Sequence, residues 1–237
     1  MARHAFVGRS VLALVLIAIA AMATALYRGD LHVEDRWKPW APLRIVDPPN
    51  WLTRFKLSRL ASDRAQCRHV LAASGMRFEP LEDRQTAPGC GFDNAVRIVA
   101  TSARVGDAFS LSCRSAVALA MWERHSLQPE AIARFGQRVE RIEHFGSYSC
   151  RNVYGREGAR RSRHATADAF DIAGFVLADG RRVRVLADWA GDGEKARFLR
   201  AIHRGACRYF DAALGPDYNA AHRDHLHLDR GSFGTCR

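Results

Sequence analysis

Two short stretches concentrate the side chains able to do chemistry. In HRDHLHLD, His222, Asp224, His225, His227 and Asp229 fall within eight residues. On an extended strand His225, His227 and Asp229 share one face, with the two imidazoles about 7 Å apart. Imidazoles at that spacing suit a metal ion. Upstream, RRSRHATADAFDI carries His164, Asp168 and Asp171 into an apolar run. Burying such groups costs several kcal/mol unless each finds a hydrogen bond, an opposite charge or a metal.

The elements that must position these groups are legible from apolar spacing. Leu57, Leu60, Ala61, Cys67, Val70 and Leu71 predict a first helix ending at Gly75, and Leu111, Ser115, Ala118, Leu119 and Trp122 predict a second. Phe170 to Val185 reads as two strands joined by Asp179-Gly180, a hairpin turn in which both central residues take positive φ. Phe198, Leu199, Ile202, Ala206, Phe210 and Leu214 predict a helix running from Gly193 to Leu214. The stretch from His225 to Asp229 alternates as a last short strand. Strands joined by hairpins, with helices set apart in sequence, predict an α+β domain with a small antiparallel sheet, flanking helices and the metal site on the sheet.

GSYSCRN, SRHATADAFDIAGF, LGPDYNAAHRDHLHLD and the cysteine pattern resemble the bacterial extensin-like C-terminal domain family, over about Cys67 to Arg237. More distantly, the motifs from Ser162 to Asp171 and the His225-x-His227 pair resemble the zinc peptidase superfamily. That superfamily includes D-alanyl-D-alanine carboxypeptidases, lysostaphin-type endopeptidases, penicillin-insensitive murein endopeptidase and the hedgehog domain. The resemblance implies Zn²⁺ held by His164, Asp171 and His227. Three protein ligands with a fourth position open to water is the arrangement of catalytic zinc. Lysostaphin-type members use a shorter spacing, which His164 and Asp168 also satisfy, so Asp168 stands as an alternative ligand. His225 matches the catalytic histidine of the endopeptidases, whereas Asp224 takes the place of the carboxypeptidase glutamate, one methylene shorter. His222 is an orienting or proton-sharing group in the same segment. Arg151, with Tyr148 in the same segment, lies where carboxypeptidases carry a substrate-binding arginine, and a guanidinium matches a carboxylate through two parallel hydrogen bonds.

Composition places this chemistry outside the cytoplasm. The chain has 237 residues, 48% hydrophobic and 26% charged, enough for one well-buried domain plus an appendage. The appendage is the front. A basic n-region (residues 1–10) precedes an uncharged run at 11–27, a transmembrane anchor or a signal sequence, and a Pro/Trp-rich linker (28–56) leads to the domain at 57–237. Arg3 and Arg9 before the run, with Asp30, Glu34 and Asp35 after it, orient the bulk of the protein outward. These features predict an exported, periplasmic protein anchored in the inner membrane by residues 11–27. Cys67, Cys90, Cys113, Cys150, Cys207 and Cys236 form no C-x-x-C pair, so this even set reads as disulfides with about 15 possible pairings. The net charge of +11 favours an anionic partner. Export and the lack of any nucleic-acid motif argue against nucleic acid, leaving peptidoglycan or another anionic wall polymer. Two functions are compatible with this pattern. One is a peptidase hydrolysing amide bonds of peptidoglycan stem peptides or cross-links, and the other a non-catalytic zinc module that binds a wall polymer or a protein.

Overall fold

The computed structural model describes residues 2–28, 33–231 and 234–237. The part of the expected linker at 29–32 lies outside the described residues. Two compact units are present, Met1–Ala41 and Pro42–Arg237. The first contains a helix, α1 (Ala2–Arg28). Helix α1 covers the run at 11–27, and among the described residues no helix is long and apolar enough to cross a membrane, so the transmembrane expectation gains no support.

The second unit begins at Pro42 because Leu43, Ile45 and Leu52 are already buried in its core, ahead of Leu57. The expected first helix is two. These are α2 (Thr53–Arg59) and α3 (Arg64–Ala72), split where the Asp63 carboxylate accepts the Gln66 amide hydrogen and starts a new helix. Five short strands follow: β1 (Arg77–Pro80), β2 (Arg84–Ala87), β3 (Cys90–Phe92), β4 (Ala95–Ala100) and β5 (Phe109–Ser112). Of these β1, β4 and β5 form one antiparallel sheet, and β2 with β3 a hairpin. Helix α4 (Cys113–Trp122) is buried along nearly its whole length and passes through a π turn at Glu123–Leu127 into α5 (Gln128–Phe135).

The main sheet has six strands: β6 (Val139–Gly146), β7 (Ala169–Leu177), β8 (Arg182–Arg184), β9 (Ala212–Leu214), β10 (Leu226–Asp229) and β11 (Thr235–Cys236). Helices α6 (Val185–Asp188) and α7 (Glu194–Ala206) lie between β8 and β9 in the chain. The strand order is β11-β9-β10-β7-β6, with β8 also on β7, all antiparallel except β11 on β9. The expected α+β class and small antiparallel sheets are therefore present.

Strand β7 is the central one, and its residues are buried or nearly so on both faces. Its Phe170 stacks on Phe109 with ring centroids 4.2 Å apart, while Phe175 meets Phe198 of α7 edge-on at 5.6 Å. Two expectations are corrected at this level. The β7–β8 turn has only one residue at positive φ, Gly180 at 85°, with Asp179 accepting the Arg181 amide hydrogen through its side chain. Glycine supplies that single left-handed position at no steric cost. The helix expected to reach Leu214 ends at Ala206, and Ala212–Leu214 becomes β9, because its backbone is taken by β10.

Candidate metal centre

Pairing of β10 with β7 sets His227 opposite Asp171. His164 comes from elsewhere, a 3-10 turn at Arg163–Thr166 started by Ser162, whose hydroxyl accepts the His164 amide hydrogen. The turn ends at Ala167, whose φ of 53° is a conformation few non-glycine residues adopt, and the chain then enters β7. Three buried side chains meet in consequence. His164 Nε2 lies 3.1 Å from Asp171 Oδ2 and 3.2 Å from His227 Nδ1, and His227 Nδ1 lies 2.8 Å from Asp171 Oδ1. One donor atom from each of the three falls within 4.8 Å of the others.

The partners behind these rings fix which atoms face inward. His164 Nδ1 sits against the carbonyl oxygen of Ser147, an acceptor only, so Nδ1 carries the hydrogen and Nε2 is left with a lone pair. His227 Nε2 donates to Asp229 Oδ2 at 3.1 Å, which turns Nδ1 inward. Two imidazole lone pairs and a carboxylate thus converge on one point, an arrangement that repels itself unless a cation lies between them. Without a metal that cation is a proton. Burial alone lowers the pKa of His227, but hydrogen bonds to Asp171 and Asp229 outweigh it and raise it to about 9. Burial likewise acts to raise Asp171, yet its bonds to His164 and His227 hold it well below the usual carboxylate range. The donor set fits a divalent cation of the zinc type, with each ring backed by a second partner.

His225 and Asp224 lie beside this cluster. His225 Nδ1 contacts Asp224 Oδ1 at 2.9 Å, and its Nε2 reaches to 3.7 Å from Asp171 Oδ1. A carboxylate only accepts, so His225 Nδ1 donates and Nε2 faces the cluster as a potential base. His222 is buried and lowered to about 4 by burial, reinforced by the nearby His227 and His225, and its Nδ1 donates to Asn219 Oδ1 at 2.8 Å. It is a neutral imidazole at neutral pH.

Asp168 is not at the cluster. Its Oδ1 accepts from the Ser112 hydroxyl at 2.6 Å and from Arg114 at 3.0 and 3.1 Å, and its Oδ2 from the Thr166 hydroxyl at 2.8 Å. Its buried charge is satisfied entirely by the protein.

The cluster floors a cleft of about 240 Å³ whose walls include Arg151, Tyr154, Arg160 and Tyr218. Arg151 is exposed there, whereas Tyr148 does not line the cleft. Tyr148 packs on Phe92 with ring centroids 4.6 Å apart and hydrogen-bonds Thr86. Three residues at the site are among those that the motifs and spacing do not single out. Tyr154, at φ 56°, is held by a 2.9 Å hydrogen bond from Asn219 to its hydroxyl, and Phe145, 63% exposed, meets the His225 ring edge-on at 5.8 Å. Asn219, the third, had one available signal, because it stands three residues before His222, the spacing of a capping side chain. Nothing in the local sequence marks Tyr154 or Phe145.

The cysteines form three disulfides, Cys67–Cys113, Cys90–Cys150 and Cys207–Cys236, and none is free. Cys150 of the second pair immediately precedes Arg151.

The family described as the extensin-like protein C-terminus matches residues 65–237. The chain belongs to this extensin-like family. The matched extensin-like region contains every member of the cluster, the cleft residues Arg151 and Tyr154, and all three disulfides. No curated protein and no solved structure matches the chain.

Proposed function

We propose that this extensin-like protein is an exported zinc-dependent peptidase that hydrolyses amide bonds in peptidoglycan stem peptides or cross-links. The observation that carries the reading is the convergence of three inward lone-pair donors, His164 Nε2, Asp171 and His227 Nδ1, with an uncommitted imidazole nitrogen of His225 beside them. Structural zinc sites are closed by four protein ligands, whereas three ligands and an adjacent base suit catalysis. Zinc held there would polarise the scissile carbonyl and acidify a water. The chain's own groups supply the rest. His225, oriented through Asp224, accepts a proton on Nε2 and delivers it to the leaving amine. Arg151 on the cleft wall offers a guanidinium to a substrate carboxylate. The three disulfides favour an oxidising compartment, and the charge of +11 favours an anionic wall polymer as partner.

The test is digestion of cross-linked sacculi and soluble muropeptides by the zinc-loaded protein, with new amine and carboxyl ends counted by mass spectrometry. His225→Ala should keep its zinc and lose hydrolysis by about 10²- to 10⁴-fold. Zinc-loaded wild type that releases no new ends yet sediments with sacculi would overturn the peptidase reading in favour of a binding module.

A further inference from the structure

Strand β6 ends beside the metal cluster in a bulge. His144 pairs with Ile172 and Gly146 with Asp171, the neighbouring residue of β7, so Phe145 is left over with no partner. An extra residue of this kind re-aims its side chain, and bulges gather next to active sites for that reason. Gly146 completes the kink at φ 101°, a backbone that residues with a Cβ rarely adopt. The kink has one evident duty, which is to bring the Ser147 carbonyl against His164 Nδ1. That duty falls to the backbone and asks nothing of the side chain at 145. Yet a phenyl ring stands there, 63% exposed, with its centroid 5.8 Å from that of His225 and the two planes 75° apart. A single exposed aromatic is ordinary on a protein surface. This one is set against the proposed base, at a site whose other large exposed side chains, Arg151, Tyr154 and Arg160, all carry polar groups.

We infer that Phe145 is a specificity-determining residue, an apolar wall for a hydrocarbon side chain on the substrate residue that carries the leaving amine. The inference rests on the peptidase reading, because it takes His225 as the group that protonates that amine. Proton delivery needs His225 Nε2 within about 3 Å of the leaving nitrogen. The side chain of the same substrate residue begins on the carbon next to that nitrogen, which brings it within reach of a ring centred 5.8 Å from the His225 ring. A hydrocarbon there covers phenyl surface that otherwise faces water, and a bare hydrogen leaves it wet. A charged side chain laid on the ring would lose hydration with no partner to replace it.

The experiment is calorimetric titration of the zinc-loaded full chain with two succinyl hydroxamates, zinc-binding compounds whose backbone mimics the leaving side of a peptide. One carries an isobutyl group at the first leaving-side position, as the racemate, and the other only hydrogen. The isobutyl compound should bind about tenfold more tightly, the worth of burying roughly half of such a side chain. Phe145→Ala should erase that preference and Phe145→Leu should keep part of it, both with zinc content unchanged, since Phe145 supplies no ligand. Equal affinity of the two compounds for wild type, or a preference that Phe145→Ala leaves intact, overturns the inference while the peptidase reading stands. Equal weakening of both compounds by Phe145→Ala also overturns it, and would mean that the ring only braces His225. If neither compound binds, the zinc site and the peptidase reading fail, and the inference fails with them.

Discussion

Asp168 commits both carboxylate oxygens to Ser112, Arg114 and Thr166, whereas Asp171, three positions on, faces two imidazoles. The sequence offers both as ligand candidates. Strand alternation favours Asp171, but the partner of Asp168 is contributed by Arg114, 54 positions away, which no local pattern reveals. The two aspartates should therefore separate on substitution. Asp171→Asn should abolish zinc retention with little loss of fold. Asp168→Asn should keep zinc but lower stability by about 2 to 3 kcal/mol, below the usual cost of breaking a fully buried pair because Arg114 is partly solvated. Elemental analysis and thermal melts check both, and zinc lost equally from the two variants would contradict the assignment. Asp229 was legible only as a third member of a strand face, not as the group behind His227. Asp229→Asn should keep the fold and weaken zinc binding about 10- to 100-fold, the usual effect of removing such a support, measured by competition with a chelator.

Elements long enough to show a period were legible, and those defined by distant partners were not. The hairpin after β7 and the strand carrying His227 follow from their own residues. The strands β2, β3, β9 and β11, two to four residues long, are not marked by the apolar spacing and exist because another strand takes their backbone hydrogen bonds. The π turn after α4 is a further feature the apolar spacing does not show, and it places Glu123, 1% exposed, against the Ser102 amide. Burial raises Glu123 to about 7, with the Ser102 and Thr101 contacts only partly offsetting it. The sign follows from proton counts. Between its unfolded value near 4.5 and about 7 the folded protein holds a proton that the unfolded chain has released. Glu123 therefore contributes stability that is complete below about pH 4.5 and is lost as pH rises through about 7, roughly 3 kcal/mol over that window. Glu123→Gln should flatten this slope, so that it gains on wild type in denaturant unfolding at pH 8 relative to pH 5. An unchanged slope would place the titration elsewhere.

At the scale of the whole molecule, the sequence predicts that the cysteines pair but leaves about 15 pairings open, because pairing is decided by which elements come within bonding distance. The three disulfides tie distant parts of the second unit together. Cys67–Cys113 joins α3 to the start of α4 and is fully buried. Cys207–Cys236 fastens β11 to the end of α7, and Cys90–Cys150 fastens the β3 edge to the segment leading into Arg151. A thiolate must reach a sulfur to exchange with it, so access should order their reduction. Cys150 and Cys236 are exposed, and mild reductant with alkylation mapping should label those two pairs well before Cys67–Cys113. The Cys90–Cys150 bond closes a loop of 60 positions, for which the loss on removal is typically about 2 to 5 kcal/mol. The paired substitution Cys90→Ser with Cys150→Ser should lower the thermal midpoint accordingly. It leaves His164, Asp171 and His227 on their own elements, so zinc content should persist near wild type. Arg151, by contrast, loses the covalent tether one residue before it, and a substrate carboxylate bound there should be held less firmly. Hydrolysis by the double variant should therefore show a raised KM with kcat little changed. Loss of zinc in the double variant would mean that this disulfide supports the metal cluster itself, and an unchanged midpoint would mean that the bond does not form.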